Sequence, residues 1–84
     1  MKVTPIRKFG EAVEPVAIST AFIRLQDFLK FAAAVETGGE AKLAVQAGEA
    51  AVNGEICTQR GKKLRPGDVV RFRGKKYGVT GHAD

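Results

Sequence analysis

The sequence predicts an α+β fold, a helical hairpin followed by a small, mostly antiparallel sheet. Three observations carry this reading. Leu25, Phe28, Leu29 and Ala32 recur at the i, i+3, i+4, i+7 spacing of a single buried helical stripe. Thr37 stands three residues before Glu40, the spacing of a capping box, and a second stripe of Ala41, Ala44 and Val45 follows. After Gly48 the period changes: Asn53-Gly54 marks a tight hairpin, and Val70 and Phe72 alternate with Val69, Arg71 and Arg73 as on a strand with one buried face.

Each element follows in order. Residues 1–20, punctuated by Pro5, Gly10 and Pro15, read as an irregular N-terminal arm with a short strand at Val16–Ile18. Phe22-Ile23-Arg24 reads as a short strand leading into the first helix, which spans Leu25 to Ala34. The second helix spans Gly39 to Ala47 and stops at Gly48, a natural C′ residue. Ala51-Val52 and Glu55-Ile56 flank the Asn53-Gly54 hairpin. Pro66-Gly67-Asp68 launches the strand Val69–Phe72, and Gly74-Lys75 turns the chain into Tyr77-Gly78-Val79. Residues 21–80 form the expected domain, and 81–84 a tail.

Length and composition bound the function. With 84 residues the chain makes one domain with a thin core. Apolar residues at 44% favour folding over disorder. A single cysteine, Cys57, excludes an intrachain disulfide and a thiol-based metal site, and reads as a small hydrophobe in a reducing compartment. The longest apolar run, Phe31 to Val35, is far short of a membrane span, and no secretory signal is visible. A soluble, monomeric, cytoplasmic protein with no membrane partner is therefore expected.

The charge is uneven. Residues 1–58 carry six Lys/Arg against seven Asp/Glu, whereas residues 59–78 carry eight Lys/Arg against Asp68 alone. A local patch of this kind suggests a polyanionic partner, nucleic acid or an anionic membrane, with a well-solvated surface hairpin as the alternative. No catalytic constellation accompanies it. His82, the single histidine, lies near the C-terminus and shares no evident third partner with Cys57. Gly38-Gly39 lacks the Lys-Ser/Thr of a nucleotide-binding loop. Neither an enzyme, a cofactor, a metal nor a small-molecule substrate is expected.

The candidate binding residues are cations and helix-end amides. Arg60, Lys62, Lys63 and Arg65 fall in a loop or irregular strand between two hairpin strands, where mutual repulsion is relieved by an anion. Gly38 and Gly39 leave the first amides of the second helix uncrowded, and the helix dipole adds about half a positive charge there. Lys42, near that end, is easiest to explain facing an anion. Of the aromatic residues, Phe22, Phe28 and Phe72 fit core positions, leaving Tyr77 as the expected stacking platform.

These pieces, in order, resemble the RNA-binding domain of small-subunit ribosomal protein S-four. The resemblance runs from Ile23 to Phe72 through Arg24-Leu25, Phe28-Leu29-Lys30, Gly39-Glu40-Ala41-Lys42, Gly48, Val52-Asn53-Gly54-Glu55, Lys63-Leu64-Arg65 and Gly67-Asp68-Val69-Val70. The segment Glu36 to Lys42 is most similar to small stand-alone bacterial members, the YaaA/YbcJ-like group. The resemblance implies an L-shaped surface that binds structured RNA, often ribosomal, and adds Arg24 and Lys30 to the expected RNA-binding residues. This chain has Ala33, Glu36 and Gly38 where many members carry Arg or Lys, which shifts the expected contacts towards the basic loop. An acidic protein partner is the alternative that the basic loop leaves open.

Overall fold

Apolar residues at helical and strand spacing converge on one core. The computed structural model describes residues 13–81. Their order is β1 (Glu14–Ala17), β2 (Ile23–Arg24), α1 (Leu25–Phe31), α2 (Gly38–Gln46), β3 (Ala50–Val52), β4 (Glu55–Ile56), β5 (Lys63–Leu64), β6 (Val69–Phe72) and β7 (Lys75–Thr80). Five strands form a sheet in the order β1-β7-β6-β3-β4, and β2 and β5 form a separate two-stranded ladder. All pairings are antiparallel except β1 with β7. The fold is α+β.

The core joins the inward face of the larger sheet to both helices. Val52, Val70, Phe72, Tyr77 and Val79 from the sheet, with Val16 from β1, form one cluster with Leu25, Phe28, Leu29, Ala41, Ala44 and Val45. Phe28 and Tyr77 meet edge to face, ring centroids 6.3 Å apart. That geometry suits two aromatic quadrupoles better than a stack. Residues 14–18 of the segment read as an arm are built into this body: Val16 and Ile18 are buried, and the Ile18 amide donates to the Thr80 carbonyl at 2.9 Å.

Several boundaries differ from the sequence reading. The first helix stops at Phe31 rather than Ala34. Ala33 turns left-handed (φ 61°), with its N–H donating to Lys30 and that of Ala34 to Leu29. This is a Schellman termination with alanine in the place glycine prefers. α2 ends the same way with Gly48 in that position (φ 83°), the amides of Gly48 and Glu49 returning to Val45 and Ala44. The β6–β7 turn consists of Arg73 and Gly74, since Phe72 pairs with Lys75. Asn53 and Gly54, at φ 51° and 90°, make the predicted hairpin turn. His82 and most of the N-terminal arm lie outside the described residues.

Candidate nucleic-acid interface

Arg24 and the distant basic segment Arg60–Lys63 meet at the start of α1. The ladder of β2 with β5 places Arg24 directly opposite Lys63. The loop before β5 folds back over the first turn of α1, whose leading amides have no intrahelical acceptor. The Leu25 N–H donates to the Lys62 carbonyl at 2.8 Å, and the Gln26 N–H donates to the Arg60 carbonyl at 3.0 Å. Arg24, in the N-cap position, offers no side-chain cap, so backbone carbonyls of the basic loop do that work. The backbone of Arg24, Arg60, Lys62 and Lys63 is thereby held at one end of α1, and all four residues are exposed.

Arg65 follows Leu64 and is fixed by the next turn. The Asp68 amide donates to the Arg65 carbonyl at 3.0 Å, and Asp68 Oδ2 accepts the Arg65 N–H at 2.8 Å. Asp68 Oδ1 accepts in turn from Asn53 Nδ2 at 3.1 Å, while Asn53 Oδ1 accepts the Val69 amide at 2.9 Å. The Asn53-Gly54 turn therefore braces the segment that carries Arg65, a coupling with no sequence-local sign.

The other cations of residues 59–78 go elsewhere. Arg71 lies on the sheet face away from the helices, opposite Lys76 in the β6–β7 ladder. Arg73 is neutralised: Nε donates to Glu49 Oε1 at 2.6 Å and Nη1 to Glu40 Oε2 at 3.3 Å. Lys75 Nζ is 2.8 Å from Glu14 Oε1. These carboxylates raise the pKa values of Arg73 and Lys75. What reads in the sequence as one basic run is thus divided among the α1 end, the open sheet face and two ion-pair groups.

The remaining expected residues belong to the helices. Lys30 is exposed in the last turn of α1, about 9 Å along the axis from Arg24. Lys42 is exposed on α2, apart from its buried stripe of Ala41, Ala44 and Val45. Gly38 and Gly39 open α2, and a Cβ at Gly38 would meet nothing within 4 Å. Thr37 Oγ1 caps this end by accepting the Glu40 amide at 3.0 Å. The Glu40 carboxylate is there too, accepting the Glu36 amide at 3.0 Å. That bond first, and the Arg73 guanidinium second, hold the Glu40 carboxyl below its ordinary value.

The aromatic residues are arranged differently from the sequence reading. Tyr77 is no platform: it is 5% exposed, because its inward register position puts the ring against Phe28. Phe22 is half-buried rather than a core residue, and Lys63 Nζ sits 4.9 Å from its ring centroid. Phe31, off the buried stripe, is 61% exposed at the end of α1. Its position outside the Leu25/Phe28/Leu29 spacing was the available signal. Cys57 is half-buried against the core. Among the described residues no His/Cys/Asp/Glu group could hold a metal ion, and no helix is long and apolar enough to cross a membrane.

Comparison with known proteins agrees with this architecture. Over 60 residues the chain is 43% identical to the probable ribosome maturation protein RlbA of Bacillus subtilis (strain 168), covering 71% of this chain and 84% of that one. The fold of this chain is similar to that of the 30S ribosomal protein S4e from Thermoplasma acidophilum, with a TM-score of 0.56 and 19% identity over 71% of this chain; the match spans 32% of that protein. Residues 16–80 match the model of the S4 domain, and the chain belongs to the S4 domain family.

Proposed function

We propose that the protein is a non-catalytic RNA-binding module of the cytoplasm that grips structured RNA, ribosomal RNA in particular, by its phosphates and its shape. The observation that carries this reading is the gathering of Arg24, Arg60, Lys62 and Lys63 at one end of α1, with Arg65 just beyond. Like charges opposite one another weaken a strand pair, and a phosphate between them reverses the sign of the interaction. A-form RNA hides its base edges in a deep major groove, so a compact basic surface reads its backbone geometry. Lys30 extends the surface along α1, and Gly38, Gly39 and Lys42 supply amides and a cation from α2. The likeness to a probable ribosome maturation protein supports the ribosomal choice of RNA.

The test is sequencing of RNA crosslinked to the protein in cells, paired with competition in vitro between folded ribosomal RNA and duplex DNA. Enrichment of ribosomal RNA and preference for folded RNA are expected. No enriched RNA, with binding confined to an acidic protein, would replace this reading with the adaptor alternative.

A further inference from the structure

A shallow depression on the outer side of α1 is lined by Ile23, Asp27, Lys30 and Phe31. Phe31 forms one wall with most of its ring in solvent. Phe28, Phe72 and Tyr77 are buried and Phe22 lies beneath Lys63, so among the described residues Phe31 is the aromatic ring with an open face. Asp27 lies one turn before Phe31 on the same ridge of the helix, and Arg24 lies one turn before Asp27. The ridge thus runs from the basic end of α1 to an exposed ring about 10 Å away. Among the described residues, neither Asp27 nor Lys30 enters an ion pair.

The four side chains discriminate between occupants. An apolar protein side chain would use Phe31 and Ile23 but leave the carboxylate and the ammonium unused. A continuous RNA duplex would suit Lys30 but bring its phosphates against Asp27. An unpaired nucleotide uses the ring and both charged groups: its base stacks on Phe31, its phosphate meets Lys30, and its N–H edge faces the Asp27 carboxylate. The neighbouring N–H donors on the Watson–Crick edge of guanine match the two oxygens of Asp27 best. We propose that this depression receives one unpaired base of the bound RNA, guanine by preference, stacked on Phe31 and read by Asp27. The proposal rests on the RNA-binding reading and specifies its substrate: folded RNA with a bulged or looped-out base.

Two RNA hairpins test it, identical except that one carries a single bulged guanosine. The parent protein should bind the bulged hairpin about tenfold more tightly. Phe31→Ala should abolish that advantage while leaving affinity for the fully paired hairpin and its salt dependence unchanged; Phe31→Tyr should keep it. Against a third hairpin with uridine in the bulge, which the parent should bind less tightly than bulged guanosine, Asp27→Asn should show no preference between the two bulges. Circular dichroism melts verify that each variant folds. Equal binding of both hairpins by the parent, or equal weakening of both by Phe31→Ala, would overturn the base-binding proposal and leave phosphate binding standing. If the parent binds neither hairpin at low salt, the RNA-binding reading falls, and this proposal with it.

Discussion

Arg24 and Lys63 face one another across the β2–β5 ladder, two cations in a cross-strand position where opposite charges would be favourable. Lys63 turns its ammonium onto the Phe22 ring, which relieves part of the repulsion. Arg24→Gln should therefore stabilise the free protein by about 0.2–0.5 kcal/mol at low salt, with the gain fading at high salt as the repulsion is screened. The same substitution should weaken RNA binding. Denaturant midpoints at low and high salt, beside an RNA titration, measure both effects.

The two helices end in the same hydrogen-bond pattern with different residues at C′. Gly48 adopts a positive φ freely, whereas Ala33 at φ 61° does so against its Cβ. Ala33→Gly should raise stability by about 0.5–1 kcal/mol, the removed strain exceeding the extra freedom gained by the unfolded chain. An unchanged or lowered midpoint in chemical denaturation would contradict this account of the α1 terminus.

Gly54 holds φ 90° in the turn whose neighbour Asn53 braces Asp68 and, through it, Arg65. A Cβ there meets no atom within 4 Å, so the penalty of a substitution is backbone strain rather than collision. Gly54→Val should lower stability by about 1–2 kcal/mol, and RNA binding should fall only as the protein unfolds. Melting curves with binding measured well below the midpoint would separate the two; lost binding at an unchanged midpoint would contradict the structural role.

What was legible in the sequence was local chemistry. Thr37 and Glu40, Asn53-Gly54, and the alternation of Val70 with Phe72 each act through neighbours a few residues away, and their elements form where expected. The pairing of Ile23–Arg24 with Lys63–Leu64 was not legible, because two-residue strands some forty residues apart carry no periodicity. The start of α1 carried no capping residue, since carbonyls of Arg60 and Lys62 serve its amides. The division of the basic run was hidden for the same reason: whether Arg73 meets Glu40 and Glu49 or an RNA phosphate depends on which loops the sheet brings beside α2. Tyr77 was misplaced because its partner Phe28 lies on another element.

The Glu40–Arg73–Glu49 group sets a pH dependence. The folded state holds the Glu40 carboxyl below its ordinary value of 4.5, so its contribution to stability is present above that pH and lost as pH falls through the depressed folded value. Glu40→Gln should therefore lower the melting temperature slightly at neutral pH and make the loss on acidification below 4.5 shallower than in the parent. Melting temperatures of both proteins across acidic pH check this; parallel curves would remove Glu40 from the account.

The central claim is that the cations at the start of α1 contact phosphates. Each such contact releases condensed counterions, so the logarithm of affinity should fall linearly with the logarithm of salt, by about 0.7–0.9 per contact. Five contacts from Arg24, Arg60, Lys62, Lys63 and Arg65 give a slope of about −4. Lys62 and Lys63 are exposed and contribute little to the fold, so Lys62→Ala with Lys63→Ala should leave a folded protein by circular dichroism. The deciding measurement is folded-RNA affinity over a salt series for the parent and this double variant. A line shallower by about 1.5 is the predicted result; parallel lines for a folded double variant would contradict the claim and move the binding surface away from this end of α1.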